Sequence, residues 1–198
     1  MRSRFVYLFL LLLALGGCSG MRIVDSDVQA FSSAQGVTAP ARFRFERLPS
    51  QQAEPQWRAR LERLVQEELE KAGMQRDDLA PRYSVWFETR IAREPRAPWE
   101  DPREDFGYMR PFIGIHLGRV VVWQPPIGMP VNSPYYRREI HLLVRHLADA
   151  AVAFETRASH DGRWWDDEPV LRAMLEAALR GFPNPPLGLR RVAIEIPR

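Results

Sequence analysis

Cysteine occurs once in the 198 residues, at Cys18, and lysine once, at Lys71. A single cysteine excludes any disulfide within the chain, so apolar packing has to hold the fold even in an oxidising compartment. It also excludes cysteine-rich zinc sites. The four histidines, His116, His141, His146 and His160, do not compensate, because no HxH or HExxH spacing occurs among them. A second long apolar run is missing too, so nothing beyond the first residues is expected to span a bilayer. Nor is there an excess of one charge: 28 basic residues stand against 25 acidic ones, and Arg2 and Arg4 belong to the leader. The remainder is close to neutral, which excludes the basic footprint of a nucleic-acid binder.

What is present begins at the N-terminus. Arg2 and Arg4 precede an uninterrupted apolar stretch over residues 5–15, and Gly16 and Gly17 place small residues just before Cys18. This is the layout of a secretory signal peptide over residues 1–17, too short for the ~20 residues of a spanning helix. Leu15-Gly16-Gly17-Cys18 also resembles a bacterial lipobox, whose cysteine becomes an acylated N-terminus. Cys18 is therefore the expected lipidation site, and residues 18–20 a short tether. Residues 21–198 are the length of one domain. At ~0.8 kcal/mol per buried methylene, several acyl chains anchor stably where a single one does not. Ser19 follows the cysteine in place of an aspartate that would resemble an inner-membrane retention signal. The expected location is the outer membrane, facing the periplasm.

Hydrophobic periodicity divides the rest. Residues 21–31 predict a first strand, with Ile23, Val24, Val28 and Phe31 spaced among polar residues. Residues 41–48 alternate, Phe43 and Phe45 against Arg42, Arg44 and Glu46, as a half-buried strand does. Over residues 54–72 the spacing becomes three and four. Trp57, Leu61, Leu64, Val65 and Leu69 make one apolar stripe of an amphipathic helix, and Gly73 is placed to cap it. Residues 82–91 form the clearest strand, with Tyr83, Val85, Phe87, Thr89 and Ile91 on one face. Residues 94–111 read as a long loop rich in proline and charge. Residues 112–123 read as one strand loosened by Gly114 and Gly118, and 124–134 as a second proline-rich loop.

A hairpin follows, turning near Asp149 and Ala150, with Ile140, Leu142 and Val144 on one face of its first arm. Val152, Phe154 and Thr156 share a face of the second arm. Residues 166–181 predict a second helix, buried through Val170, Leu171, Met174, Leu175, Ala178 and Leu179. Pro169 lies in its first turn, Gly181 at its end and Pro183 just beyond. Residues 190–196 supply a last alternating strand. The order β-β-α-β-β-β-β-α-β predicts an α+β fold: a two-layer sandwich in which a mostly antiparallel sheet carries both helices on one face.

Several stretches besides the leader carry a resemblance: SDVQAF (26–31), RFRFERLPS (42–50), RREIHLLVR (137–145), FETRASHDG (154–162) and GFPNPP (181–186). Together they resemble the domain of unknown function 4136 family of proteobacterial lipoproteins, over most of the chain after the leader except residues 94–134. The resemblance implies an envelope lipoprotein with an α+β fold and carries over no catalytic residue.

The residues able to do chemistry have quieter readings beside the functional ones. Ser159, His160 and Asp161 are the side-chain types of a hydrolase triad, but successive strand residues face opposite ways, so they cannot serve one another. His160 with nearby acids remains the one conceivable metal cluster. His141 and His146, an odd number apart, face opposite ways on a strand. Asp166, Asp167 and Glu168 read as the capping and dipole-matched start of a helix. Trp164 and Trp165 either seal the sheet or stack on a sugar. Arg137, Arg138 and Arg145 read as solvated strand ends. Ile127, Met129, Val131, Tyr135 and Tyr136 form a candidate partner surface on the second loop.

These observations predict a non-catalytic, lipid-anchored envelope lipoprotein that binds a partner protein or a lipid, with no cofactor, no metal and no nucleic acid. The alternatives are an envelope hydrolase or metal-dependent enzyme around His160 and Asp161, and a glycan or cell-wall binder using Trp164 and Trp165. The oligomeric state is left open.

Overall fold

Alternation within strands decides which face of the sheet is buried, and parity can be followed strand by strand. In the computed structural model, residues 20–48, 55–94, 112–116, 119–123 and 134–198 are described, with the side chains of 112–116 and 119–123 left aside. The expected Cys18 site and the apolar residues Ile127, Met129 and Val131 lie outside them. The elements are β1 (Met21–Ser32), β2 (Arg42–Phe45), α1 (Pro55–Lys71), β3 (Gln75–Arg76), β4 (Tyr83–Glu94) and β5 (Phe112–His116). They continue with β6 (Arg119–Trp123), β7 (Tyr135–His146), β8 (Val152–Gly162), α2 (Asp167–Leu179) and β9 (Leu189–Pro197).

Seven strands form one sheet in the order β3-β2-β4-β7-β8-β1-β9. β2 runs parallel to β3 and to β4, and every other neighbour is antiparallel. Even-numbered residues of β1, β7, β8 and β9 and odd-numbered residues of β2 and β4 point to one face. That face holds Val28, Phe43, Val85, Leu142, Phe154 and Ile194, and both helices pack on it through the predicted stripes. The architecture is the expected α+β sandwich. The other face of the sheet is charged and open among the described residues, with Glu88, Arg90, Glu139, Arg157 and Arg191 along it. No described helix is long and apolar enough to cross a membrane.

Local signals place the helix ends. Gly73 takes φ +95°, its N–H donates to the Glu70 carbonyl at 3.0 Å, and the Met74 N–H reaches back to Leu69 at 2.9 Å. This is the pair of bonds that ends a helix through a left-handed residue, a conformation glycine adopts without steric cost.

Four expectations need correction. The single strand over 112–123 is two antiparallel strands, β5 and β6, with His116 opposite Arg119. A two-residue strand, β3, enters the edge beside β2. Tyr135 and Tyr136 belong to β7 rather than to a loop, and Tyr135 is buried. Finally, Val152 does not share the inner face with Phe154. Val144 pairs with Phe154 and Arg145 with Val152, so Ala153 is an extra residue in β8. This bulge turns Ala153 inward and leaves Val152 40% exposed.

The bulge yields a paired prediction. Leu142→Ala is expected to lower unfolding free energy by about 2–5 kcal/mol in urea titrations, because Leu142 is fully buried. Val152→Ala, one strand away, should stay within about 0.5 kcal/mol. A large loss for Val152→Ala would place it in the core and rule out the bulge.

Candidate functional site

Nearly all the chemically interesting residues meet where β7, β8 and β1 run under the start of α2. β1 pairs with β8 only over Asp27 to Ser32, and beyond Asp27 the two strands part. The His160 ring occupies the gap. A carbonyl can only accept, so its Nδ1–H donates to the Asp25 carbonyl at 2.6 Å, supplying a bond that a strand neighbour would otherwise make. His160 is buried, and its Nε2 lies so close to Gly162 that a Cβ there would sit 3.0 Å from it. A side chain there would oblige the ring to give way by a few tenths of an ångström. Burial lowers the His160 pKa; the bond to Asp25 works against this, and the nearby Arg138 charge lowers it further. The ring is therefore held neutral with the proton on Nδ1.

Two arginines on the inner face tie this end of the sheet to the segment that leads into α2. Arg138, opposite His160 on β7, is fully buried. Its Nε and Nη2 donate to one carboxylate oxygen of Asp167 at 2.9 and 2.6 Å, and Nη2 also donates to the Trp164 carbonyl at 2.6 Å. Arg22, on β1, pairs with both carboxylate oxygens of Asp166 and stacks 4.8 Å from the centre of the Trp164 ring. The hydrogen bond from Arg22 keeps the Asp166 carboxyl below its ordinary range. Of the three arginines read as solvated strand ends, Arg138 is therefore not one, whereas Arg137 stays exposed and Arg145 is partly exposed beside Glu46. The carboxylates at the start of α2 also act differently from the expected caps: Asp166 stands at the N-cap position without a side-chain capping bond, because its oxygens are turned to Arg22.

The remaining candidates divide. Ser159 and Asp161 stand on the open face while His160 points inward, so the three do not form a relay. A depression of about 320 Å³ at this end is lined by His160, Asp161, Ser159, Asp25, Tyr135 and Trp164. Among the described residues, no group of three or more His, Cys, Asp or Glu side chains could hold a metal. Trp164 is half-buried between Arg22 and Arg198, whereas Trp165 is 77% exposed, so the two indoles are not offered together. His141 pairs with Glu155 at 3.0 Å on the open face; His146 lies beside Tyr83 on the inner one. The open face also carries a groove of about 430 Å³ between Asp27, Glu88, Glu139, His141 and Arg157. Its charges are mixed, and two of its lining residues, Arg90 and Glu88, pair with each other at 3.7 Å.

A second buried ion cluster fixes α1. Glu62 is buried, which alone would raise its pKa, but Arg47 (2.7 Å to each oxygen) and Arg58 more than offset this and hold it low. Arg58 lies 3.7 Å from the centre of the Phe87 ring and donates to the Phe87 carbonyl at 3.1 Å. Here too the polar groups are committed to holding a helix against the sheet.

The His160 geometry has a consequence for pH. A histidine whose folded pKa is depressed binds fewer protons folded than unfolded, so its contribution to stability is full above the unfolded value of ~6.5 and is lost as pH falls below it. Urea midpoints should drop as the solution is acidified from about pH 7.5 to 5.5, and this part of the drop should disappear in His160→Gln. An equal acid response in that variant would contradict a neutral, buried His160.

No family model matches the chain, and no curated protein does either. Solved structures do. The chain is similar to a PDZ domain protein from Parabacteroides distasonis at 12% identity with a TM-score of 0.53, over 89% of this chain. The match covers 39% of that longer chain. It is also similar to the PelC dodecamer subunit from Paraburkholderia phytofirmans, at 10% identity and a TM-score of 0.43, over 80% of this chain and 98% of that one. Identities this low bear on fold alone, and the α+β sandwich is what they share with the first of these.

Proposed function

We propose that this chain is a bacterial envelope lipoprotein, anchored through Cys18 at the periplasmic face of the outer membrane, that binds a lipid or protein partner and performs no catalysis. The reading rests on the distance between the lipobox-like motif and the sheet. β1 begins at Met21, and the Gly20 carbonyl already accepts from the Arg198 N–H at 2.9 Å. Only Ser19 and Gly20 separate Cys18 from the sheet, a reach under ~10 Å at ~3.5 Å per residue. An acylated Cys18 therefore holds this end of the domain against the headgroups.

The surface at that end suits such a position. Met21 and Ile23 are about half exposed, and Trp165 stands out beside Trp164, which itself packs near Arg198. Exposed indole and aliphatic groups next to arginines match the water–lipid boundary, where an apolar body and a polar rim are both accommodated. The likeness of SDVQAF, FETRASHDG and GFPNPP to the domain of unknown function 4136 family supports the same assignment. Arg138, Asp166 and Asp167 are engaged in internal ion pairs, and Ser159 and Asp161 do not face His160, so the hydrolase reading lacks an assembled relay. Trp165 alone offers less than the paired platform of a glycan binder.

In fractionated cells the unaltered protein is expected with the membranes. Cys18→Ala should shift most of it to the soluble or uncleaved pool, and a variant still firmly bound would overturn the anchor.

A further inference from the structure

β9 ends the sheet. Its inner edge pairs with β1 from Met21–Pro197 through Gln29–Leu189 without interruption, and among the described residues nothing pairs with its outer edge. The Arg198 N–H points inward, to Gly20. Alternation then turns the backbone groups of Arg191, Ala193 and Glu195 outward, unpaired. Pro197, which has no N–H to offer, falls on the same outward side, where a ladder loses nothing by its presence. A nine-residue open edge is a template for another strand.

The sequence of β9 says which strand fits. We infer that β9 pairs antiparallel with β9 of a second copy of this chain, about a two-fold axis through Ala193, to make one continuous sheet. In that register Arg191 stands opposite the partner's Glu195, and Glu195 opposite the partner's Arg191, both pairs on the open face. Val192 stands opposite the partner's Ile194, so the apolar inner face continues across the junction. Shifting the axis to Arg191 or to Glu195 sets like charges against each other. Shifting it to Val192 or Ile194 leaves both charges facing uncharged residues. Among these axes, Ala193 alone sets Arg191 opposite Glu195; on the inner face it also sets Arg190 opposite the partner's Ile196, at the end of the junction.

Ion pairing inside the subunit leaves room for this match. Arg191 already lies 3.3 Å from Asp27 on β1, at 71% side-chain exposure. Glu195 faces Ile23 across the ladder and makes no ion pair among the described residues. The partner's Arg191 supplies the cation Glu195 lacks and completes an acid–base–acid row over the junction. The axis sets the Gly20 ends at opposite corners of the joint sheet, so two anchors reach one bilayer when the strands run along its surface.

The test uses the full chain in native membranes and after extraction into mild detergent. Ala193→Cys, on the axis, should form a disulfide-linked dimer on mild oxidation, because directly opposed Cα atoms at ~5.5 Å lie within disulfide reach. Arg191→Cys, opposite Glu195 and not itself, should not, and mass spectrometry of the linked peptide distinguishes this bond from one through Cys18. In solution, Arg191→Glu or Glu195→Arg alone should weaken self-association roughly tenfold or more. The double variant Arg191→Glu/Glu195→Arg should restore it. Single copies at every concentration, equal crosslinking of the two cysteine variants, or association indifferent to the charge reversals would each overturn the inference.

Discussion

The guanidinium of Arg138 is the constraint on which the molecule is arranged. Taking a cation fully out of water costs several kcal/mol unless a counter-ion and good hydrogen-bond acceptors follow it inside. Asp167 and the Trp164 carbonyl are those acceptors, and both belong to the segment that leads into α2. Their position is therefore set by β7, in the middle of the sheet. Arg22 repeats the device from β1, binding Asp166 and lying against the Trp164 ring. With its first turn held at two points, α2 lays Leu171, Met174, Leu175 and Ala178 across β1, β8 and β9. The role of such a pair is less net stability than a single permitted seating of the helix.

The same joint draws several titratable side chains into internal bonds. His160 is kept neutral and wedged between strands, its Nδ1–H spent on Asp25. Ser159 and Asp161 stay on the far side of the sheet. What the fold leaves exposed is of another kind: an apolar and aromatic rim around Gly20, and a charged strand edge at β9. We propose that the first meets lipid and the second another sheet.

Much of this could be read from the sequence, for a definite physical reason. Where a helix or strand buries one face, its period shows, so α1, α2, β4 and the β7–β8 hairpin stood out through Leu64, Leu175, Phe87 and Leu142. What escaped was whatever breaks the link between residue type and burial. Arg138 read as a solvated strand end, yet it has the parity of its buried neighbours Ile140, Leu142 and Val144; Arg22 likewise has that of Val24 and Val28. Parity was the available signal, and it outranked charge. The β8 bulge shifts parity by one residue, so Val152 was assigned to the wrong face. The acids at 166–168 followed local helix-start rules that say nothing of a distant cation.

The most direct test is a double-mutant cycle on Arg138→Met and Asp167→Ala, followed by urea denaturation. A joint that seats α2 through this pair predicts that Asp167→Ala alone, which strands a buried cation, costs about 3 kcal/mol or more. Adding Arg138→Met should recover much of that loss, giving a coupling energy of about 2 kcal/mol. Additive effects, with coupling within about 0.3 kcal/mol of zero, would contradict it.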